Sequence, residues 1–149
     1  MPRPFFHRAA RGFTLLEILV VLVIIGLIAS LVGPRLFTQL EGSQVRVAET
    51  QIKMLRGAVE TFRLDMGRLP NVDEGLSVLY ARPADPRAAE RWRGPYLDEA
   101  VPLDPWDTPY QFAIPGREGQ GFALFSLGAD KALGGEGNDA DLGILPAQR

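Results

Sequence analysis

No cysteine occurs among the 149 residues, and histidine occurs once, at His7. Disulfide scaffolds, thiol catalysis and cysteine zinc sites are therefore excluded, and any histidine mechanism would rest on one residue close to the N-terminus. Positive charge is scarce in the second half, where nine acidic side chains from Asp98 onward face only Arg117, Lys131 and Arg149. The chain has no basic stripe with interleaved aromatics, so nucleic acid is not an expected partner. The acidity of the C-terminal half favours cations instead.

Charge is also missing from one long stretch. Met1 to Gly12 is short and basic, with Arg3, Arg8 and Arg11 and no acid, and it precedes the apolar run FTLLEILVVLVIIGLIASLV from Phe13 to Val32. Ile18 to Pro34 carries no charge at all. A helix over that segment covers roughly 26 Å of a hydrocarbon core of about 30 Å, and including Phe13 to Leu16 completes a span. The three arginines then stay on the cytoplasmic side. A conventional secretory signal would end in a pair of small residues of the A-x-A type, which Ala29-Ser30-Leu31-Val32-Gly33 lacks.

Glu17 is the anomaly in this run, because an acid inside an apolar span costs roughly 2.5 to 3.5 kcal/mol and needs a partner. Thr14-x-x-Glu17 has the spacing of a capping box, which explains the position along the helix but not the depth. A positive charge supplied at the same level by another chain would serve better, and cleavage between Gly12 and Phe13 creates one as a new amino terminus. Arg11-Gly12-Phe13-Thr14-Leu15-Leu16-Glu17 ahead of a long aliphatic run closely resembles the class III signal of type IV pilins and type II secretion pseudopilins. The resemblance implies that a prepilin peptidase cuts after Gly12 and methylates the amine of Phe13. It also implies that Glu17 pairs with that amine on a neighbouring subunit.

Pro34 ends the apolar run, and it removes one helix hydrogen bond and crowds the carbonyl four residues back, so a kink or local melting is expected there. Beyond it Val45, Ala48, Ile52, Leu55, Val59, Phe62 and Met66 alternate at intervals of three and four, the stripe of an amphipathic helix. Gly67 and Pro70 provide the stop. A helix from Thr14 to Met66 would be about 80 Å long, too long for a compact domain of this size. Its first half should lie in lipid or among other subunits, and its second half should pack on the C-terminal region.

After Arg68 proline and glycine become frequent. Tyr110 to Ile114 and Gly121 to Leu127 read as two strands of a hairpin across Pro115-Gly116-Arg117-Glu118-Gly119. Glu74 to Arg82 reads as a short helix capped by Asp73, and Pro86 to Trp92 as another. Asp104-Pro105-Trp106-Asp107-Thr108-Pro109-Tyr110 is a turn entering a strand, with Trp106 expected to cover the sheet end.

The segment from Ser126 to Leu142, SLGADKALGGEGNDADL, is dominated by oxygen ligands and glycines. Calcium takes six to eight oxygens from carboxylates and carbonyls, and glycines let carbonyls turn toward a cation. The spacing is not that of an EF-hand, because with Asp130 as the first position the third and fifth are Ala132 and Gly134 and the twelfth is Asp141 in place of a bidentate Glu. From its chemistry alone this stretch is equally a cation loop or a solvated acidic turn.

Asp-Pro-Trp-x-x-Pro-Tyr and S-L-G-A-D…G-G-E-G…A-D both resemble segments of the major pseudopilins of type II secretion systems. That resemblance implies a calcium loop, with Asp130 and Asp141 as side-chain ligands, then Asp139, then Glu136, and a carbonyl near Leu127. Lys131 in place of the usual glycine and Gly143-Ile144-Leu145-Pro146 in place of an aromatic ending depart from the family pattern.

The expected fold is α+β and type IV pilin-like: a long kinked N-terminal helix packed on a small antiparallel β-sheet with a C-terminal calcium loop. Residues 1–12 form the leader, 13–34 the membrane half of the helix, 35–67 its amphipathic half, and 68–149 the periplasmic region. The implied function is that of a structural subunit and not an enzyme. It would be anchored in the inner membrane and assembled as a homo-oligomeric periplasmic filament that drives folded proteins through an outer-membrane secretin channel. Minor pseudopilins, the prepilin peptidase and an inner-membrane assembly platform are the implied partners. A surface type IV pilin shares everything up to Met66 and is the alternative. A membrane-anchored hydrolase would need a nucleophile motif or partner base that Asp130 and Asp141 lack.

Overall fold

The structure, a computed structural model, describes residues 13–147, with residues 33–39 described by their backbone alone. One helix, α1, spans Leu15–Met66. Its start is set by Thr14, whose hydroxyl accepts the Glu17 N–H at 3.2 Å while its carbonyl accepts the Ile18 N–H at 3.3 Å. This is the amide-facing half of the expected capping box. At the other end Gly67 takes φ +69°, a left-handed conformation that glycine adopts without a Cβ penalty, and its N–H closes on the Arg63 carbonyl at 2.9 Å.

The backbone remains helical through Pro34, so the melting expected there does not occur. A single missing hydrogen bond is tolerated when helix continues on both sides. The expected leader, with the Gly12 cleavage point, lies outside the described residues.

The chain divides into two compact units, Met1–Gln39 and Leu40–Arg149. In the first, every residue described from Phe13 to Val32 is exposed within the isolated chain, and Leu15–Val32 is long and apolar enough to cross a membrane. An aliphatic surface of this extent cannot stay in water, so it belongs in lipid or against other apolar helices.

In the second unit, Ala48, Ile52, Leu55, Val59, Phe62 and Met66 of α1 are buried, which bears out the three-four stripe. From Ile52 onward they pack on Leu76, Leu79, Leu97, Tyr110, Phe122 and Leu124. The Tyr96 ring meets Phe62 edge-on at 5.6 Å and Trp92 at 5.9 Å, while the Trp92 indole donates to the Val78 carbonyl at 2.9 Å. These contacts lay the 68–97 segment on the helix.

The expected helix over 74–82 is only a 3₁₀ turn, Gly75–Leu79. Asp73 does not cap it. Glu74 precedes the turn, and its carboxylate is engaged by the Arg68 guanidinium at 2.7 and 2.8 Å and by the Asn71 N–H at 2.9 Å. A short helix, α2, follows over Pro86–Arg91, capped by the Asp85 carboxylate accepting the Ala88 N–H at 2.8 Å.

The hairpin is present as β1, Gln111–Ala113, and β2, Ala123–Ser126, paired antiparallel with Phe112 opposite Leu124. A third strand, β3, over Leu142–Ile144, pairs antiparallel with the other edge of β2, placing Ser126 opposite Leu142. The sheet order is β1-β2-β3. Only three residues long and interrupted by Gly143, β3 has too little alternation to be visible as a strand in sequence.

Candidate assembly and cation site

The first group of functional residues lies at the start of α1. Phe13 is 79% exposed, and Glu17 is also exposed on the first turn of the apolar helix. Thr14 holds the Glu17 amide, and among the described residues the Glu17 carboxylate has no hydrogen-bond or ion-pair partner at the level where the chain becomes apolar. Such a carboxylate is available to a charge from outside the chain.

The second group is built around Asp104, which is 3% exposed. Its Oδ1 accepts the N–H groups of Trp106 at 3.0 Å and Thr108 at 2.8 Å, and its Oδ2 accepts the Ser126 hydroxyl at 2.5 Å. The Ser126 oxygen in turn accepts the Gly128 N–H at 3.2 Å. A buried carboxylate so supplied with donors is satisfied, and the network joins the 104–108 turn to the end of β2 and the mouth of the acidic loop. Nearby, burial pushes the Tyr110 phenol up, aided by the negative charge of Asp104, so it stays protonated and donates to the Gln51 Oε1 at 2.5 Å.

The acidic loop runs from Leu127 to Asp141. The Ala129 N–H donates to the Asn138 carbonyl at 3.0 Å, which folds the loop onto itself. Gly135 sits at φ +83°, where a Cβ would collide with the carbonyl of Asp139, so close approach of the backbone depends on glycine there. Asp130 and Asp139 are exposed, whereas Asp141 is half-buried. Asp130 Oδ1 accepts the Ala132 N–H at 3.0 Å, and Asp141 Oδ2 accepts the Gly134 N–H at 2.9 Å.

Among the described residues, no three acidic or histidine side chains gather into a group able to hold a metal. Asp130, Asp139 and Asp141 thus do not converge as a carboxylate triad. Two oxygens in this loop are nevertheless enclosed without any hydrogen-bond partner, Oδ1 of Asp141 and Oδ1 of Asn138. A buried acceptor without a donor costs about 1 to 3 kcal/mol, and a hard cation that binds oxygen removes that cost. The residues therefore fit calcium, with amide and carbonyl oxygens making up for missing carboxylates. Asn138 was not among the expected ligands; its place in Gly-Asn-Asp-Ala-Asp, between glycine and two acids, was the available signal.

The family model described as type II secretion system, protein G, matches residues 35–144, and the prokaryotic N-terminal methylation motif matches residues 7–33. The chain belongs to the type II secretion system protein G family. It is 40% identical to the type II secretion system core protein G of Pseudomonas aeruginosa over 137 residues, covering 92% of this chain and 96% of that one. With its counterpart in Vibrio cholerae it shares 40% identity, over 91% of this chain and 92% of the relative. The crystal structure of the major pseudopilin from the type 2 secretion system of enterohaemorrhagic Escherichia coli matches with a TM-score of 0.58 and 27% identity, over 74% of this chain and 93% of that chain. Membership bears out the pseudopilin fold and the reading as a structural core subunit of the pseudopilus, and it does not support the surface pilin alternative.

Proposed function

We propose that this pseudopilin is cut after Gly12 by a prepilin peptidase in the inner membrane and methylated at Phe13. It then polymerises into a homo-oligomeric periplasmic filament. The observation that carries this reading is the exposed apolar helix Leu15–Val32 within the residues matched by the methylation motif, with Glu17 exposed at its first turn. In the assembled state the aliphatic faces cover one another, and Glu17 pairs with the Phe13 amine of a neighbour, which sets the register of addition. Before assembly the same helix holds the subunit in the inner membrane, with the 68–149 region in the periplasm. The subunit works by extension against an outer-membrane secretin channel, without catalysis, on an inner-membrane platform and with minor pseudopilins as companions.

We also propose that calcium binds the 127–141 loop. Asp141 and Asn138 would hold it through their unpartnered oxygens, Asp130 and Asp139 from the exposed side, with a carbonyl near Leu127. The ion supplies positive charge that the loop lacks, and the chain's own part is to present oxygens on a glycine-folded backbone.

Processing tests the filament reading. Replacing Gly12 by a bulky residue is expected to leave the full precursor in the membrane, whereas Glu17→Gln is expected to permit cleavage and block filament formation. Normal cleavage of the first variant, or wild-type filament yield from the second, would sink the reading; gel mobility and filament recovery measure both.

A further inference from the structure

We propose that Ser126 is a positioning residue for the cation loop: its hydroxyl, held by the buried Asp104 carboxylate, orients the peptide unit that carries the Leu127 carbonyl. The inference rests on the calcium reading above.

Ser126 ends β2 and is fully buried. A hydroxyl has one proton to give and two lone pairs with which to receive. The proton goes to Asp104 Oδ2 at 2.5 Å, and a lone pair accepts the Gly128 N–H at 3.2 Å. Asp104 is itself fixed, because its Oδ1 takes the Trp106 and Thr108 amides from the turn that follows it. A hydroxyl bound to a carboxylate keeps its proton there, so its oxygen is left to face Gly128.

The Gly128 N–H and the Leu127 carbonyl belong to one peptide unit, planar and trans, in which the two groups point in opposite directions. Holding the N–H on Ser126 therefore turns the Leu127 carbonyl away from the Asp104 side. Gly128 is also where the two arms of the loop meet. It sits at φ +68°, and a Cβ there would lie 2.8 Å from the Asp139 carbonyl carbon and 2.9 Å from the Ala140 oxygen. One residue on, the Ala129 N–H donates to the Asn138 carbonyl at 3.0 Å. The outgoing arm that Ser126 holds is thus laid against the returning arm, to which the unpartnered oxygens of Asn138 and Asp141 belong.

The strand does not need a hydroxyl at this position. Ala123, Leu124 and Phe125 before it are buried and apolar, and Ser126 pairs opposite Leu142 of β3 through its backbone. A buried hydroxyl has no advantage over an apolar side chain unless its bonds serve something. Here both bonds meet at the mouth of the loop, one reaching back to the 104–108 turn and the other forward to the peptide between Leu127 and Gly128. Groups that orient metal ligands without touching the ion contribute about 10- to 100-fold in affinity. A carbonyl aimed before the ion arrives spares the ordering that binding would otherwise impose.

Calcium titration of the detergent-solubilised full chain by calorimetry, well below the melting temperature of each variant, separates positioning from stability. Ser126→Ala releases the Gly128 N–H and is expected to weaken calcium binding about tenfold or more. Asp104→Asn keeps an oxygen for the two turn amides and gives Ser126 an amide donor, which leaves a serine lone pair for Gly128. It is expected to lower the melting temperature while Kd stays within about threefold of wild type. Ser126→Cys nearly preserves the side-chain volume with a weak donor and acceptor, so it carries the test if Ser126→Ala does not fold, and it too is expected to bind calcium more weakly than wild type. Wild-type affinity in the folded Ser126 variants, or affinity losses in Ser126→Ala and Asp104→Asn that simply follow their melting temperatures, would overturn the positioning role and leave the calcium reading standing. A wild-type chain that binds no calcium would overturn both.

Discussion

Asp104 shows how one buried carboxylate organises a surface. With Trp106 and Thr108 amides and the Ser126 hydroxyl all directed at it, Asp104→Ala would strand three donors in a site that is 3% exposed. The expected loss is about 3 kcal/mol, read as a lower denaturant midpoint with unchanged slope. Glu74 illustrates the same chemistry nearer the surface, where its hydrogen bonds to the Arg68 guanidinium hold its carboxyl below the ordinary value of 4.5. A depressed carboxyl stabilises the fold above its unfolded pKa and loses that contribution as pH falls through its folded value. Stability should therefore decline below about pH 4.5 by about 1 kcal/mol more in wild type than in Glu74→Gln, and acid titration followed by circular dichroism checks the difference. The sequence displays Asp104 and Glu74 as ordinary loop acids. Their partners, 22 and 6 residues away, are matters of tertiary placement.

At the scale of elements, α1 was legible almost to the residue, because capping by Thr14, an unbroken apolar run, a three-four stripe and Gly67 all point the same way. Phe62 is the centre of its buried face, fully enclosed and held against Tyr96 and the Arg68 guanidinium, which lies 5.5 Å from its ring. Phe62→Ala should cost about 3 to 5 kcal/mol by thermal or chemical unfolding. The β1–β2 hairpin was legible from its alternation and its Pro-Gly turn, with each strand shorter than expected by one or two residues at either end. The 3₁₀ turn and β3 were not. Both are too short for a period to show, and β3 exists because β2 offers it an unpaired edge.

For the whole molecule, the acidic loop matters through what it ties together, since it leaves β2 at Leu127 and returns as β3 at Leu142. An ion bound only by the folded loop stabilises the native state by mass action, about 2.7 kcal/mol at a hundredfold excess over Kd. Calcium should raise the melting temperature of the detergent-solubilised full chain over that in chelator, and Asp141→Ala and Asn138→Ala should each abolish the rise. A flat response in wild type would return the loop to a solvated turn.

The sequence by itself determined the apolar segment long enough to cross a membrane, the methylation motif, the long helix and the acidic character of the C-terminal half, because each is written in contiguous composition or in a period that sterics and solvent enforce locally. Only the tertiary structure decided that Asp104 lies buried against Ser126, and that an oxygen of Asn138, like one of Asp141, is enclosed without a hydrogen-bond partner. Those facts depend on which distant segments pack together, and burial and charge acquire their meaning only after that packing is set.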